Sequence, residues 1–238
     1  MRGVHDVGRG WDALRRYPEL WKWLVAPAIV TLVILAAIVL AIVHFVSPVI
    51  AGIEHHLPAV IASIAGGLLT ILIVAVLAIG GLFAFATIAG AIAGPFNEQL
   101  SEQLEAKLTG RPPPKFSFGR LAHEMATGAA HAIRRILVAI AGTIVVIAIG
   151  FVPGIGTLAA VILGFYFAAR ASAYDCYDAV LARRHLGYAE KMSYLATHRS
   201  RTLGLGAAVA GMLLIPGLNL VALGIGAAGA TIAVLDQR

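Results

Sequence analysis

Leu24 to Val43 is a charge-free apolar run of 20 residues, and Ala59 to Ala93 is a longer one. At about 1.5 Å of helical rise per residue, either is long enough to cross a hydrocarbon core of about 30 Å. Inside lipid the backbone must satisfy its own hydrogen bonds, so runs of this kind are expected as helices. Composition agrees: 60% of residues are hydrophobic and 13% charged, against about 45–50% and about 25% in an ordinary soluble domain. The expected fold is therefore an all-α integral membrane protein. The single cysteine, Cys176, excludes an internal disulfide. The first apolar run begins after 23 mixed residues and exceeds the usual h-region of about 7–15, so it is expected as an uncleaved anchor.

The formal net charge of +6 raises nucleic acid as a partner, and the placement of the charges argues against it. Arg2, Arg9, Arg15, Arg16 and Lys22 precede the first run; Lys107, Arg111, Lys115, Arg120, Arg134 and Arg135 follow the second. Arg170, Arg183, Arg184, Lys191, Arg199 and Arg201 lie between later apolar blocks, whereas His44 to Pro58 carries no Lys or Arg. If both long runs span, every basic cluster falls on the side of the N-terminus, and the positive-inside rule makes that side cytoplasmic. The expected topology is multi-pass with a cytoplasmic N-terminus, and the lipid bilayer is a partner.

The chain reads as one membrane domain, residues 1–238. Residues 1–23 form an interfacial amphipathic helix, with Val4, Val7, Trp11 and Leu14 on one face and Asp6, Arg9, Asp12 and Arg16 largely elsewhere. Trp21 and Trp23 supply an aromatic belt before the first span, 24–46. The second span, 59–108, is studded with glycine and passes Pro95 into a cytoplasmic extension. There Glu98, Glu102 and Glu105 share a helical face, until the triple proline Pro112 to Pro114 ends the helix.

Two later blocks, 132–169 and 203–235, each break in the middle: Ile136–Ile149, then VPGIG, then Thr157–Ala169; and Leu203–Ile215, then PGLN, then Leu220–Leu235. Aligning Pro153 with Pro216 also aligns Gly154 with Gly217 and Ile155 with Leu218. These are read as repeated helix-break-helix hairpins. Arms of this length reach about 20–24 Å, short of the hydrocarbon core, which favours part-way (re-entrant) penetration over full spans.

Enzymatic motifs fail on their context. Gly154-Ile155-Gly156-Thr157-Leu158-Ala159 fits GxGxxA but lacks the preceding strand and the later acid of a dinucleotide site. His123-Glu124 lacks the second histidine of a zinc-protease helix, since position 127 is Thr127. Tyr174-Asp175 has no GxGD partner. No catalytic set, metal site or cofactor is expected.

Features suited to ions are richer. Helices restarting at Gly156 and Asn219 offer N-terminal N–H groups and a partial positive charge, and broken helices recur where transporters bind ions. Asn219 serves either as a cap or interhelical hydrogen-bonding group, or as a pore residue.

Taken together, GRGWDALRRYPELWKWLVAPAIV, GPFNEQLSEQLE, YDCYDAVLARR, RTLGLGAA and IPGLNL…GAT resemble the bacterial CysZ sulfate permease family, related to the etoposide-induced membrane proteins. The resemblance covers nearly the whole chain, most specifically at Pro95-Phe96-Asn97…Glu102…Glu105 and Ile215-Pro216…Asn219. It implies two long transmembrane helices, two half-penetrating hairpins, homo-oligomeric assembly, and sulfate uptake for cysteine synthesis. It also implies an oxyanion site where the family reads Pro-Gly-Leu-Arg-Arg; here the residues are Pro18-Glu19-Leu20-Trp21-Lys22. The anion-binding candidates are accordingly Arg15, Arg16, Leu20, Trp21 and Lys22, and the pore candidates Asn97, Glu98, Glu102 and Asn219. Glu19 stands where the family has glycine, and its charge opposes a dianion. A non-transporting membrane scaffold is the alternative function, motivated by the altered 18–23 segment and the helix from Phe96 to Leu108.

Overall fold

The computed structural model describes residues 2–55, 92–110, 112, 119, 137–184, 186–215 and 217–237. Its regular elements are helical throughout the described residues, as the apolar runs require. In chain order they are α1 (Arg2–Arg16), a 3-10 turn Pro18–Leu20, α2 (Trp21–His55), α3 (residues 92–109) and α4 (Leu137–Gly150). There follow α5 (Gly156–Leu181), α6 (Tyr188–Thr197), α7 (Arg199–Leu213) and α8 (Asn219–Leu235). The chain divides into two units, Met1–Pro27 with Ala93–Arg238, and Ala28–Ile92.

Most of α2 belongs to the second unit. The helix has 35 residues, about 52 Å, and runs on through Pro48 to His55, so part of the segment without Lys or Arg is helical. Together with the 3-10 turn before it, the stretch Pro18–Ala41 is long and apolar enough to cross a membrane. Residues 56–91, which hold most of the expected second span, lie outside the described residues, as do His123, Glu124 and Thr127. The other long apolar helix among the described residues is instead α5, within Gly156–Arg184.

That length differs from the arm Thr157–Ala169 read from the apolar run. The helix does not stop at Arg170, because Arg170 points outward while Ala169, Ala173, Cys176, Tyr177, Val180 and Leu181 continue a buried face. The first half of α5 is apolar all round, and the second half is amphipathic and packed. Residues 92–109 also stop earlier than the triple proline required: Thr109 Oγ1 donates to the Glu105 carbonyl at 2.7 Å, and Gly110 turns away with φ +71°.

In the first unit α1, α5, α7 and α8 pack together around Leu14, Tyr177, Leu181, Leu205, Val209 and Ile225. The buried face of α1 is Gly3, Asp6, Val7, Gly10, Ala13 and Leu14. The expected stripe is thereby split: Val7 and Leu14 lie on that face, whereas Val4 and Trp11 are exposed. Small residues make the difference, since α1 approaches α8 closely enough that a Cβ on Gly10 would stand 2.6 Å from the Gly229 nitrogen. Helix α7 approaches α5 in the same manner, with a Cβ on Gly206 falling on the Ala169 carbonyl oxygen.

The two breaks share a backbone device. Gly154 has φ +85° and its aligned counterpart Gly217 has φ +86°, a left-handed conformation that suits glycine. Their surroundings differ. Leu137, Ile144, Phe151, Ile155, Leu158 and Ile162 leave the first hairpin exposed along α4, its turn and the start of α5. In the second hairpin only the turn region, from Leu214 to Leu220, is comparably exposed, and most of α8 is buried.

Gly10→Val forces the α1–α8 crossing apart. The expected cost is about 1–3 kcal/mol, the usual range for overpacking. Thermal unfolding of the detergent-purified protein, followed by size-exclusion, checks it; an unchanged melting temperature would contradict the close crossing.

Candidate anion path and binding site

Four charged side chains join α1 to α7 and the end of α8. Asp6, only 2% exposed, accepts from Arg201 Nε at 2.6 Å and Arg201 Nη2 at 2.7 Å. Arg201 Nη2 also donates to Asp236 at 2.7 Å, and Arg9 donates to both Asp236 oxygens, one of them at 3.0 Å. Bidentate pairing fixes the angle between helices as well as their distance. The guanidinium of Arg9, helped by Arg201, holds the Asp236 carboxyl down at about 2.

A polar seam runs between α3, α5 and α8. Near the second break, Asn219 is exposed at the first turn of α8. The backbone N–H groups at both restarts are already engaged: Gly156 donates to the Val152 carbonyl at 3.1 Å, and Asn219 to the Ile215 carbonyl at 3.1 Å. Neither is free for an anion. Nor does Asn219 act as the cap, a position held by Leu218 with no side-chain hydrogen bond.

Five residues along α8, about 7.5 Å, lies Gly224, beside which Asn97 is buried on α3. Further along, Ser101 and Thr231, both fully buried, share a hydrogen bond of 2.7 Å. Arg183 Nη2 then donates to Ser101 Oγ at 2.6 Å and pairs with Glu105 at 3.1 Å. Asn97, Ser101 and Glu105 are spaced i, i+4, i+8, one face of α3. Glu98 and Glu102 are half-buried on the same helix.

The five residues proposed at 15–22 are not equivalent. Leu20 is buried at 2% exposure. Trp21 Nε1 donates to the Leu14 carbonyl at 3.1 Å, and its ring meets Trp11 edge-on at 5.8 Å. These two anchor the corner between α1 and α2. Arg15, Arg16 and Lys22 are exposed, with Lys22 Nζ 5.4 Å over the Trp23 ring. Arg16 lines an open cleft of about 610 Å³ with Arg9, Tyr17, Thr109 and Asp236. The end of α3 adds a cation, since Lys107 pairs with Glu19 at 2.8 Å and lies 5.9 Å over Tyr17.

Sequence reasoning missed Ser101, Thr231, Arg183 and Lys107. Each is brought to the site by residues 78 or more positions away, and nothing in its local spacing marks it out. Among the described residues no group of three His, Cys, Asp or Glu is placed to hold a metal ion.

Among the described residues the class is all-helical, with two helices long and apolar enough to cross a membrane and a polar seam buried between helices. A family model described as sulfate transporter CysZ/etoposide-induced protein 2.4 matches residues 6–223. The chain belongs to that family. It is similar to the sulfate transporter CysZ of Pectobacterium atrosepticum, 28% identical over 235 residues, covering 99% of this chain and 85% of the relative. The Salmonella typhi sulfate transporter CysZ is 27% identical over 234 residues, covering 98% of this chain and 92% of the relative. The protein is thus a bacterial membrane protein of a transport family, not an enzyme.

The sign of the Asp236 linkage follows from its depressed folded value against the ordinary 3.8. The stabilisation is complete well above the unfolded value, declines below about pH 4, and is gone once pH falls through about 2. Asp236 is 37% exposed, so screening leaves about 1 kcal/mol. Asp236→Asn is expected to lower the melting temperature at pH 7, with the gap to wild type closing between pH 4 and pH 2. A gap independent of pH would mean that the carboxylate charge is not what stabilises.

Proposed function

We propose that this chain carries sulfate across the bacterial inner membrane, supplying it for cysteine synthesis. The observation that carries this is the near-full-length likeness to relatives named for sulfate transport. Those names favour transport over the scaffold alternative. The N-terminus is cytoplasmic, the chain crosses the membrane more than once, and copies assemble as a homo-oligomer.

In this proposal the two hairpins enter the bilayer part-way from the cytoplasmic side. The 14 residues of Leu137–Gly150 and the 15 of α7 reach about 21–23 Å, less than the core thickness. On α5, Phe165, Tyr166 and Phe167 followed by Arg170 form the aromatic-and-basic border expected at an interface. Sulfate enters beside Asn219, passes along the seam Asn97, Ser101–Thr231 and Arg183, and is received on the cytoplasmic side by Arg15, Arg16 and Lys22. Glu98 and Glu102 set the field beside it. A guanidinium suits a tetrahedral oxyanion because it offers a planar fork of donors. Buried Ser101 and Thr231 correspond to a closed state, and opening requires α3 and α8 to part there.

The path is passive and driven by consumption, and energetics set the condition. Moving a dianion inward costs about 4.6 kcal/mol at 100 mV, each charge costing about 2.3. Net entry then needs internal sulfate more than about a thousandfold below external.

Two experiments test this. Proteoliposomes holding the purified chain are expected to take up labelled sulfate above empty vesicles without a pH gradient, and Arg183→Gln is expected to lower the flux at least tenfold. No flux above empty vesicles removes the proposal. For depth, Cys176 is fully buried, so Phe151→Cys gives a clean label at a residue 83% exposed. Labelling by membrane-impermeant maleimide is expected from neither side of intact vesicles; strong labelling from the outside means full spans.

A further inference from the structure

Helix α6 is only lightly fastened to the first unit. Of its ten residues, Leu195 alone is buried. Its inward side chains otherwise make polar or aromatic contacts near the surface. Lys191 Nζ donates to Asp178 at 2.6 Å, and Tyr194 Oη donates to Gln237 Oε1 at 2.6 Å. Tyr188 lies 5.9 Å from the ring of Tyr174. A helix with so little buried surface belongs to the low end of local stability. Behind it, Tyr177 on α5 is fully buried, its ring 5.9 Å from that of Tyr194. Among the described residues the Tyr177 hydroxyl has no hydrogen-bond partner. Such burial is unfavourable, because the bond to water is given up and not replaced. The seated position of α6 therefore carries a penalty at the residue it covers.

The segment that leads into α6 ties this to the seam. Arg183 stands in the turn Ala182–Arg184, just before the cap of α6 at Gly187. It is only 15% exposed and holds Ser101 and Glu105, so an anion that reaches it has no open way to water. Resting on the sulfate reading above, we propose that α6 is a strap across the exit beside Arg183, and that the stranded Tyr177 hydroxyl biases it to lift. Lifted, α6 admits water to the Tyr177 hydroxyl and to the Arg183 end of the seam, and the anion leaves. Seated, it closes the exit and strands the hydroxyl again. Tyr177 is a positioning residue: it acts through α6 and not on the anion.

The test uses the full-length protein, with hydrogen exchange in detergent and labelled-sulfate flux in proteoliposomes. In the wild type, amides of 188–197 are expected to exchange faster than those of 199–213. Y177F removes the hydroxyl and keeps the ring. It is expected to raise the melting temperature by about 2–4 °C and to slow exchange across 188–197 roughly fivefold, the scale of one stranded hydroxyl. Sulfate flux is expected to fall by a similar factor. K191Q cuts the contact with Asp178 and is expected to act in reverse, with faster exchange in α6 and faster flux. A merely structural tyrosine moves stability and flux together, so that Y177F lowers both. That result, an unchanged melting temperature in Y177F, or altered α6 exchange with unaltered flux in both variants overturns the strap while leaving sulfate transport standing. Absence of sulfate flux in the wild type overturns the transport reading, and the strap with it.

Discussion

The buried bidentate pair between Asp6 and Arg201 is the contact on which the first unit depends. A carboxylate at 2% exposure is costly to bury unless paired and hydrogen-bonded, and here both oxygens accept from one guanidinium. Breaking such a pair by removing one partner typically costs about 3–5 kcal/mol. The pair explains how α1, an amphipathic sequence, comes to dock on α7 and α8. Asp6 must meet Arg201, so the face around it turns to α7 and α8, and Gly3, Gly10 and Gly229 permit the approach. Asp236 and Arg9 extend the same clamp to the end of α8.

Much of the architecture was legible because it rests on local rules. Apolar run length gave helices, and the Pro-Gly breaks gave the turns, where Gly154 and Gly217 take matching left-handed backbones. Where the reading went astray, a local rule competed with a distant partner. Arg170 looked like the end of an arm because charge usually ends an apolar run. A single outward-facing charge does not end a helix whose other face is buried, and α5 continues to Leu181. Likewise Val4 and Trp11 looked like members of the buried stripe of α1. The face actually chosen carries two glycines and an aspartate, which no hydrophobicity pattern favours.

The site was legible in part for the same reason. Asn97 stood in a recognisable motif, and it is buried on the seam. Arg15, Arg16 and Lys22 were found as cations before a span, and they are exposed. Leu20 and Trp21, taken over from a family pattern in which the second of these positions is basic, turn out to pack the corner instead. Arg183 and Lys107 were only two of many basic residues until the fold brought each to a partner, Ser101 and Glu105 for the one and Glu19 for the other.

The same clamp bears on how a path through this fold could open. Helix α8 is held at its C-terminal end by Asp236 and along its length by the close crossing with α1, so that end is poorly placed to move. Its beginning, around Leu218 to Leu220, is exposed. Between them Thr231 and Ser101 close the seam with one neutral hydrogen bond, an interaction worth only about 1 kcal/mol net. A helix clamped and latched toward one end moves most at the other. In the proposed route, the mobile end is the one that carries Asn219, and the anchored end is the one beside Arg183. Selectivity and gating would then be separated along a single helix, with the fixed charge at the rigid end and the motion at the other.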